Sequence, residues 1–197
     1  CMKATAIAPS NIAFIKYWGN RDSKLRLPYH GSISMNLSNL FSTTTVEFSE
    51  NLKKDEVVID NSKNIQETQR VTKQLDHIRN PAKVKLFAKV VSKNSFPKST
   101  GLSSSASGMA ALTVAVCKAL NLNLSQKEIS ILARLGSGSA CRSIPDGFVE
   151  WKSGLTSNSS YAYSFFKENH WKIIDLVVIV TQTEKNTSTT QGHLLAH

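Results

Sequence analysis

Apolar and polar positions trade places along this chain with two different periods, and the switch between periods marks its elements. Residues 3–8 read as a short strand that ends at Pro9. Over residues 32–37 the alternation is strict, with Ile33, Met35 and Leu37 on one side and Ser32, Ser34 and Asn36 on the other. A period of two predicts a half-buried strand, and the β-branched run Thr43, Thr44, Thr45 and Val46 continues it after Phe41. Residues 56–60 and 84–91 predict two more strands. Between them a helix is predicted over residues 65–78, where Ile65, Val71, Leu75 and Ile78 share a face and Pro81 follows the end.

Two helices with stronger signals come next. Met109, Leu112, Val116, Ala119 and Leu120 recur at helical spacing over residues 104–120, behind a start packed with small side chains. Ser125 with Glu128 three residues on is a capping box, and Leu124 is placed as its hydrophobic staple. Ile129, Leu132 and Leu135 form a buried stripe, and Gly136 stops the helix. Residues 148–151 then read as a strand, 152–172 as a polar connection and 173–181 as a buried strand. Residues 188–197 open a helix with a Ser/Thr cluster, Leu194 and Leu195 as first core residues, and no stop signal. The chain is therefore expected to be a fragment that stops inside an element.

Composition narrows the function. The 197 residues suit one sizeable domain, or one domain and the start of another. The longest apolar run, over residues 173–180, is broken by Asp175 and too short to span a bilayer, so no membrane role is expected. Lys and Arg outnumber Asp and Glu by 24 to 14, a balance that suits nucleic acid, acidic lipid or a phosphorylated small molecule. The cations are dispersed, with Lys53 and Lys54 the one adjacent pair, so the basic stripe of a nucleic-acid binder is missing. Cys1, Cys117 and Cys141 form no CxxC pair, and nothing at the N-terminus marks secretion, which fits a reduced cytoplasmic setting. The histidines are scattered without zinc spacing, and no metal ligand is assigned.

Three segments carry candidate chemistry. Gly101, Leu102, Ser103, Ser104 and Ser105 follow a predicted strand and open a predicted helix. Glycine admits close backbone approach, the serines offer hydroxyls, and a helix start presents unpaired N–H groups, so this loop suits a phosphate chain. It is not a Walker loop, because no Gly-Lys-Ser/Thr triplet ends it. The second segment, Gly136-Ser137-Gly138-Ser139-Ala140-Cys141-Arg142-Ser143, pairs a serine-bearing turn with a guanidinium fork suited to carboxylate or phosphate oxygens. Alone it is a Gly/Ser turn and no more. The third sets Asn11, Lys16, Tyr17 and Arg21 among apolar residues between Pro9 and Asp22, where Tyr17 and Trp18 taken singly read as core or rim aromatics.

Together, and in this order, the segments resemble the GHMP superfamily of small-molecule kinases, in its diphosphomevalonate decarboxylase branch. The resemblance rests on Asn11-Ile12-Ala13-Phe14-Ile15-Lys16-Tyr17-Trp18-Gly19, on the Gly101–Gly108 loop, on the Gly136–Ser143 turn and on Phe148-Val149-Glu150-Trp151. It implies a two-domain α+β fold: a two-layer N-terminal domain over residues 1–168 and the beginning of a second α+β domain over 169–197. It implies ATP and Mg²⁺ as cofactors, and ATP-dependent decarboxylation of 5-diphosphomevalonate through 3-phosphorylation. Residues 101–105 would hold the ATP phosphates, while Tyr17, Arg21, Ser137, Ser139, Arg142 and Ser188 would contact substrate and Lys16 would support catalysis near the reacting carbon.

The resemblance also leaves alternatives open. The family pattern after Trp-Gly is Lys-Arg, whereas Asn20-Arg21 stands here, and the loss of one cation keeps 5-phosphomevalonate in play as substrate. The family's catalytic aspartate belongs to a C-terminal half that these residues do not include, so a kinase that does not decarboxylate also remains a reading. A non-catalytic basic binding protein is the distant alternative, and a homodimer is left open.

Overall fold

A computed structural model describes residues 2–96 and 104–178. In chain order its elements are strand β1 (Lys3–Ile15), β2 (Asn20–Asp22), β3 (Leu27–Pro28), β4 (Ser32–Ser49), β5 (Glu56–Ile59), helix α1 (Ile65–Arg79) and β6 (Phe87–Asn94). Then follow α2 (Ser104–Ala119), α3 (Gln126–Gly136), a 3₁₀ turn (Gly138–Ser143), β7 (Phe148–Trp151), a second 3₁₀ turn (Ser157–Ser159) and β8 (Ala162–Phe166). Six strands form one sheet in the order β5-β6-β4-β7-β8, with β1 against the other side of β4; β5 and β6 are parallel and the remaining pairs antiparallel. β2 and β3 make a separate hairpin.

β4 organises the molecule. It runs unbroken through both segments that its pattern separates, because its two halves have different partners: residues 42–49 pair with β6 and residues 32–35 with β7. The outer half alternates as a two-sided strand should, burying Ser42, Thr44, Val46 and Phe48. In the inner half the alternation breaks: Ser32 and Ser34 are buried, Met35 on the other side is buried as well, and Ile33 is only half-buried. The serine side turns inward because a buried cation, described below, takes both hydroxyls. β1 likewise runs past Pro9, which sits opposite Phe41 at a register shift on a strand paired on one side alone. Proline is tolerated at such a bulge because no ladder donor is required of it.

The helices cover one face of the sheet. Val71, Leu75 and Ile78 of α1 meet Leu112, Ala115 and Val116 of α2 and Val46, Phe48, Ala88 and Val90 of the sheet in the main core. The α3 capping box forms as expected: Glu128 Oε2 accepts from Ser125 N at 2.8 Å, and Ser125 Oγ accepts from Glu128 N at 3.3 Å. Leu124 packs against the core beside it. Asp55 and Arg79 tie β5, α1 and β6 together by a bidentate pair at 2.8 and 3.0 Å, with Ala88 N donating to Asp55 at 2.9 Å. Burial opposes the Arg79 charge, but Asp55 and Asp76 outweigh it and hold the guanidinium above its ordinary value.

Other expectations change as well: the buried residues of α3 are Ser130, Ala133 and Arg134, with Ile129, Leu132 and Leu135 only half-buried, and Ile65 of α1 is exposed. The strand expected over 84–91 begins at Phe87, after a left-handed turn at Lys83. The connection over 152–172 contains β8, whose run of Tyr and Phe residues suits a pleated, half-buried surface. Residues 173–178 are not a buried strand: they have no regular structure, and Ile174, Leu176 and Val178 are 89%, 84% and 75% exposed. A strand needs a neighbour for its ladder, and none pairs here among the described residues. Residues 179–181, and the helix expected from residue 188, lie outside the described residues.

Candidate active site

The 3₁₀ turn Gly138–Ser143 is the centre of a polar cluster. α3 ends at Gly136, and the chain then tightens so that Ala140 and Cys141 are fully buried while Ser137 and Ser139 stay half-exposed. Arg142, 4% exposed, projects beneath the turn. Its Nε donates to Ser34 Oγ at 3.1 Å, Nη1 to Ser32 Oγ at 2.7 Å and Nη2 to Asn11 Oδ1 at 3.1 Å. Asn11 is held in turn by donating to Ser143 Oγ at 2.8 Å and to Ser139 O at 3.2 Å. The bulge that follows Pro9 aims Asn11 at this point.

Every acceptor in this network is neutral. Arg142 has no carboxylate partner among the described residues, and burial pulls its pKa below the ordinary value. An unpaired buried cation costs free energy that neutral hydrogen bonds recover only in part. Three of its five N–H donors are engaged among the described residues. The Ser137 and Ser139 hydroxyls have no hydrogen-bond partner among the described residues. A field of positive sign beneath two available hydroxyls is suited to an anion.

Aromatic side chains wall the cluster. Tyr17 packs on Trp151 with ring centroids 4.7 Å apart, and Arg142 Cζ lies 6.0 Å from the Trp151 ring. Gly138 suits this close packing, since a Cβ there would stand 3.0 Å from Tyr17 Cε1 and 3.2 Å from Trp151 Cη2. Tyr17 donates its hydroxyl to Asn20 Oδ1. Burial raises the phenol pKa despite the nearby Arg26 and the Asn20 bond, so Tyr17 is a neutral hydroxyl at physiological pH. Cys141 is pushed up to about 12 by burial and is a thiol, not a nucleophile. Arg134, fully buried, closes the far side by donating to Leu25 O at 3.0 Å, Ser157 O at 3.1 Å and Ser160 O.

The expected site residues thus fall into groups. Tyr17 and Arg142 meet at Trp151, and Ser137 and Ser139 belong to the turn that carries Arg142. Lys16 and Arg21 are exposed, Arg21 lying 5.9 Å from the Tyr29 ring. Ser104 and Ser105 form the first turn of α2, which carries no acidic side chain to neutralise its N-terminus. α2 is fixed behind them by Ser107, whose hydroxyl meets that of Ser42 at 2.7 Å. Gly101, Leu102, Ser103 and Ser188 lie outside the described residues. Ser32, Ser34 and Trp151 were not singled out as site residues from sequence, and Asn11 was named in its segment without a role. Asn11 gave a signal, as a polar residue in an apolar run; the two serines gave none. Among the described residues no group of three or more His, Cys, Asp or Glu side chains could hold a metal ion, and no helix is long and apolar enough to cross a membrane.

The family model described as the diphosphomevalonate decarboxylase-like N-terminal domain matches residues 8–162. A diphosphomevalonate decarboxylase of Ganoderma lucidum is 39% identical over 96% of this chain and 52% of its own length. The crystal structure of mevalonate diphosphate decarboxylase from Staphylococcus aureus is 36% identical and superposes with a TM-score of 0.87 over 97% of this chain and 58% of that one. A complex of MDDEF with MVAPP, AMPPCP and magnesium is 43% identical, with a TM-score of 0.78 over 81% of this chain and 50% of its own. The chain spans about half the length of the curated relatives it matches. The two-layer α+β fold expected from the GHMP resemblance is the one these structures share. The chain belongs to the diphosphomevalonate decarboxylase-like N-terminal domain family.

Proposed function

We propose that this chain supplies the nucleotide-facing and substrate-gripping half of an ATP-dependent decarboxylase acting on 5-diphosphomevalonate. The observation that carries the reading is the Arg142 cluster: a buried guanidinium with neutral partners, on a turn whose Ser137 and Ser139 hydroxyls have no partner among the described residues. The relatives' names and the complex with MVAPP, AMPPCP and magnesium support the same substrate and ATP with Mg²⁺.

In that reaction ATP phosphorylates the tertiary 3-hydroxyl, a poor leaving group otherwise. Departure of phosphate breaks the C–O bond, and the electron pair of the bond to the carboxylate forms the alkene as CO₂ leaves. The protein's part is positioning and charge stabilisation. Ser137 and Ser139 would donate to the anionic end of the substrate, with Arg142 supplying positive field. Tyr17 would wall the pocket, with Lys16 and Arg21 bringing exposed cations to its mouth. Ser104 and Ser105 would present hydroxyls and backbone N–H groups to the nucleotide phosphates. No described residue is assigned to Mg²⁺, which is commonly held by one or two carboxylates together with substrate phosphates.

Calorimetric titration with 5-diphosphomevalonate tests this reading. A double Ser137→Ala, Ser139→Ala variant should bind at least about tenfold more weakly, the loss of hydrogen bonds to a charged group. Unchanged affinity would remove the two serines, and with them the proposed grip.

A further inference from the structure

Arg134 is a second buried arginine, fully enclosed in the last turn of α3, and the proposed reaction gives it no contact with substrate. Its Nε donates to Leu25 O at 3.0 Å, Nη1 to Ser157 O at 3.1 Å and to Ser160 O, and Nη2 to Ser157 Oγ at 2.8 Å. All four acceptors are neutral, and they lie on two segments distant from α3 in the chain. The bond to Leu25 has a counterpart. Arg26, the next residue, donates its Nε to Leu135 O, also at 3.0 Å. Two neighbours in the β2–β3 turn and two in α3 thus exchange guanidinium-to-carbonyl bonds.

The exchange falls where the hairpin needs support. β2 and β3 pair only with each other among the described residues, and a two-stranded hairpin on its own is marginal. Leu27 and Pro28 bury their side chains, but no ladder joins the hairpin to the main sheet. Within it, Leu25 N donates to Asp22 Oδ1 at 2.8 Å, which ties the clamped turn back to β2. β2 begins with Asn20, whose Oδ1 receives the Tyr17 hydroxyl. On the other arm, Ser160 Oγ accepts from Trp151 Nε1 at 3.0 Å and donates to Lys152 O at 3.0 Å. Arg134 is therefore linked on one side to the partner of the Tyr17 hydroxyl, and on the other to the ring on which Tyr17 packs.

We propose that Arg134 is a positioning residue for substrate binding: it docks the β2–β3 hairpin on α3 and so fixes Tyr17 between Asn20 and Trp151. The proposal deepens the decarboxylase reading and rests on it. Its basis is geometry and not charge. A planar fork serves both segments at once, whereas a single ammonium would supply the same positive field without spanning them.

The test uses the full-length protein with ¹³C-labelled tyrosine rings, the Tyr17 signals being those lost in Tyr17→Phe. The Trp151 ring current marks the docked state. Arg134→Lys keeps the charge and loses the fork. Arg26→Lys, at a half-buried position where folding should survive, keeps the charge and removes the Nε donor. Both are expected to shift the Tyr17 signals and to raise KM for 5-diphosphomevalonate, by about tenfold for Arg134→Lys, with KM for ATP unchanged. In an Asn20→Ala background the effect of Arg134→Lys on KM should shrink to less than about twofold, because the two residues act along one path. Unmoved Tyr17 signals in both variants would overturn the proposal. So would a fall in kcat with both KM values unchanged, the mark of a smaller folded fraction, or a KM effect undiminished without Asn20. A native protein that neither binds nor turns over 5-diphosphomevalonate would instead refute the decarboxylase reading, and the ring signals would still decide whether Arg134 docks the hairpin.

Discussion

Arg142 is held at 4% exposure by three neutral acceptors from two strands, Asn11 on β1 and Ser32 and Ser34 on β4. That geometry needs a planar fork. Lysine would keep the charge but reach at most part of the triangle, leaving buried hydroxyls short of a donor. Arg142→Lys in the full-length protein is therefore expected to lower kcat/KM by about 2 kcal/mol of transition-state stabilisation, roughly 30-fold. Unchanged steady-state parameters would show that the fork is dispensable. The motif that holds Arg142 was legible in the sequence, but its partners were not. Ser32 and Ser34 alternate with Ile33 and Met35, and a period of two separates the sides of a strand without saying which side is inward. Apolar-in is the usual answer, and here a buried cation from 108 and 110 residues further along buries the two serines, while Met35 is buried on the opposite side. No local pattern records a contact at that separation.

Elements with local causes were read closely. The α3 start is the clearest, because Ser125 and Glu128 satisfy each other within one turn. The Ser125 hydroxyl and then its backbone N–H hold the Glu128 carboxyl below its usual range. A depressed folded-state pKa contributes stability above the unfolded value, and that contribution is lost as pH falls through the folded value. The stability gap between the native chain and Glu128→Ala should thus be present at pH 7 and shrink at pH 3, measured as the difference in urea midpoints. A gap that stays constant would mean the carboxylate charge plays no part in the cap. Elements with non-local causes were read less well. Pro9 looks like a stop, yet β1 continues because an edge strand at a bulge does not need the missing N–H. The Tyr and Phe run of β8 looks like connection until β7 is there to pair with it. The apolar run after Trp171 looks like a buried strand, but pattern alone does not create a neighbour.

At the scale of the molecule, β4 is long enough to serve two neighbours, and this places the candidate site. Its outer half carries the helix-covered core, and its inner half carries the serines that receive Arg142. α2 and the Gly138–Ser143 turn pack against each other, the arrangement that is proposed to bring a nucleotide and an anionic substrate together. The central claim is that these groups serve ATP-dependent decarboxylation. Its most direct measurement is CO₂ release by the full-length protein supplied with ATP, Mg²⁺ and 5-diphosphomevalonate, with ADP and phosphate followed in the same reaction. The account predicts one CO₂ and one phosphate for each ADP formed, with all three slowed together by Arg142→Lys. ADP formation without CO₂, or no turnover of the diphosphate ester at all, would contradict it.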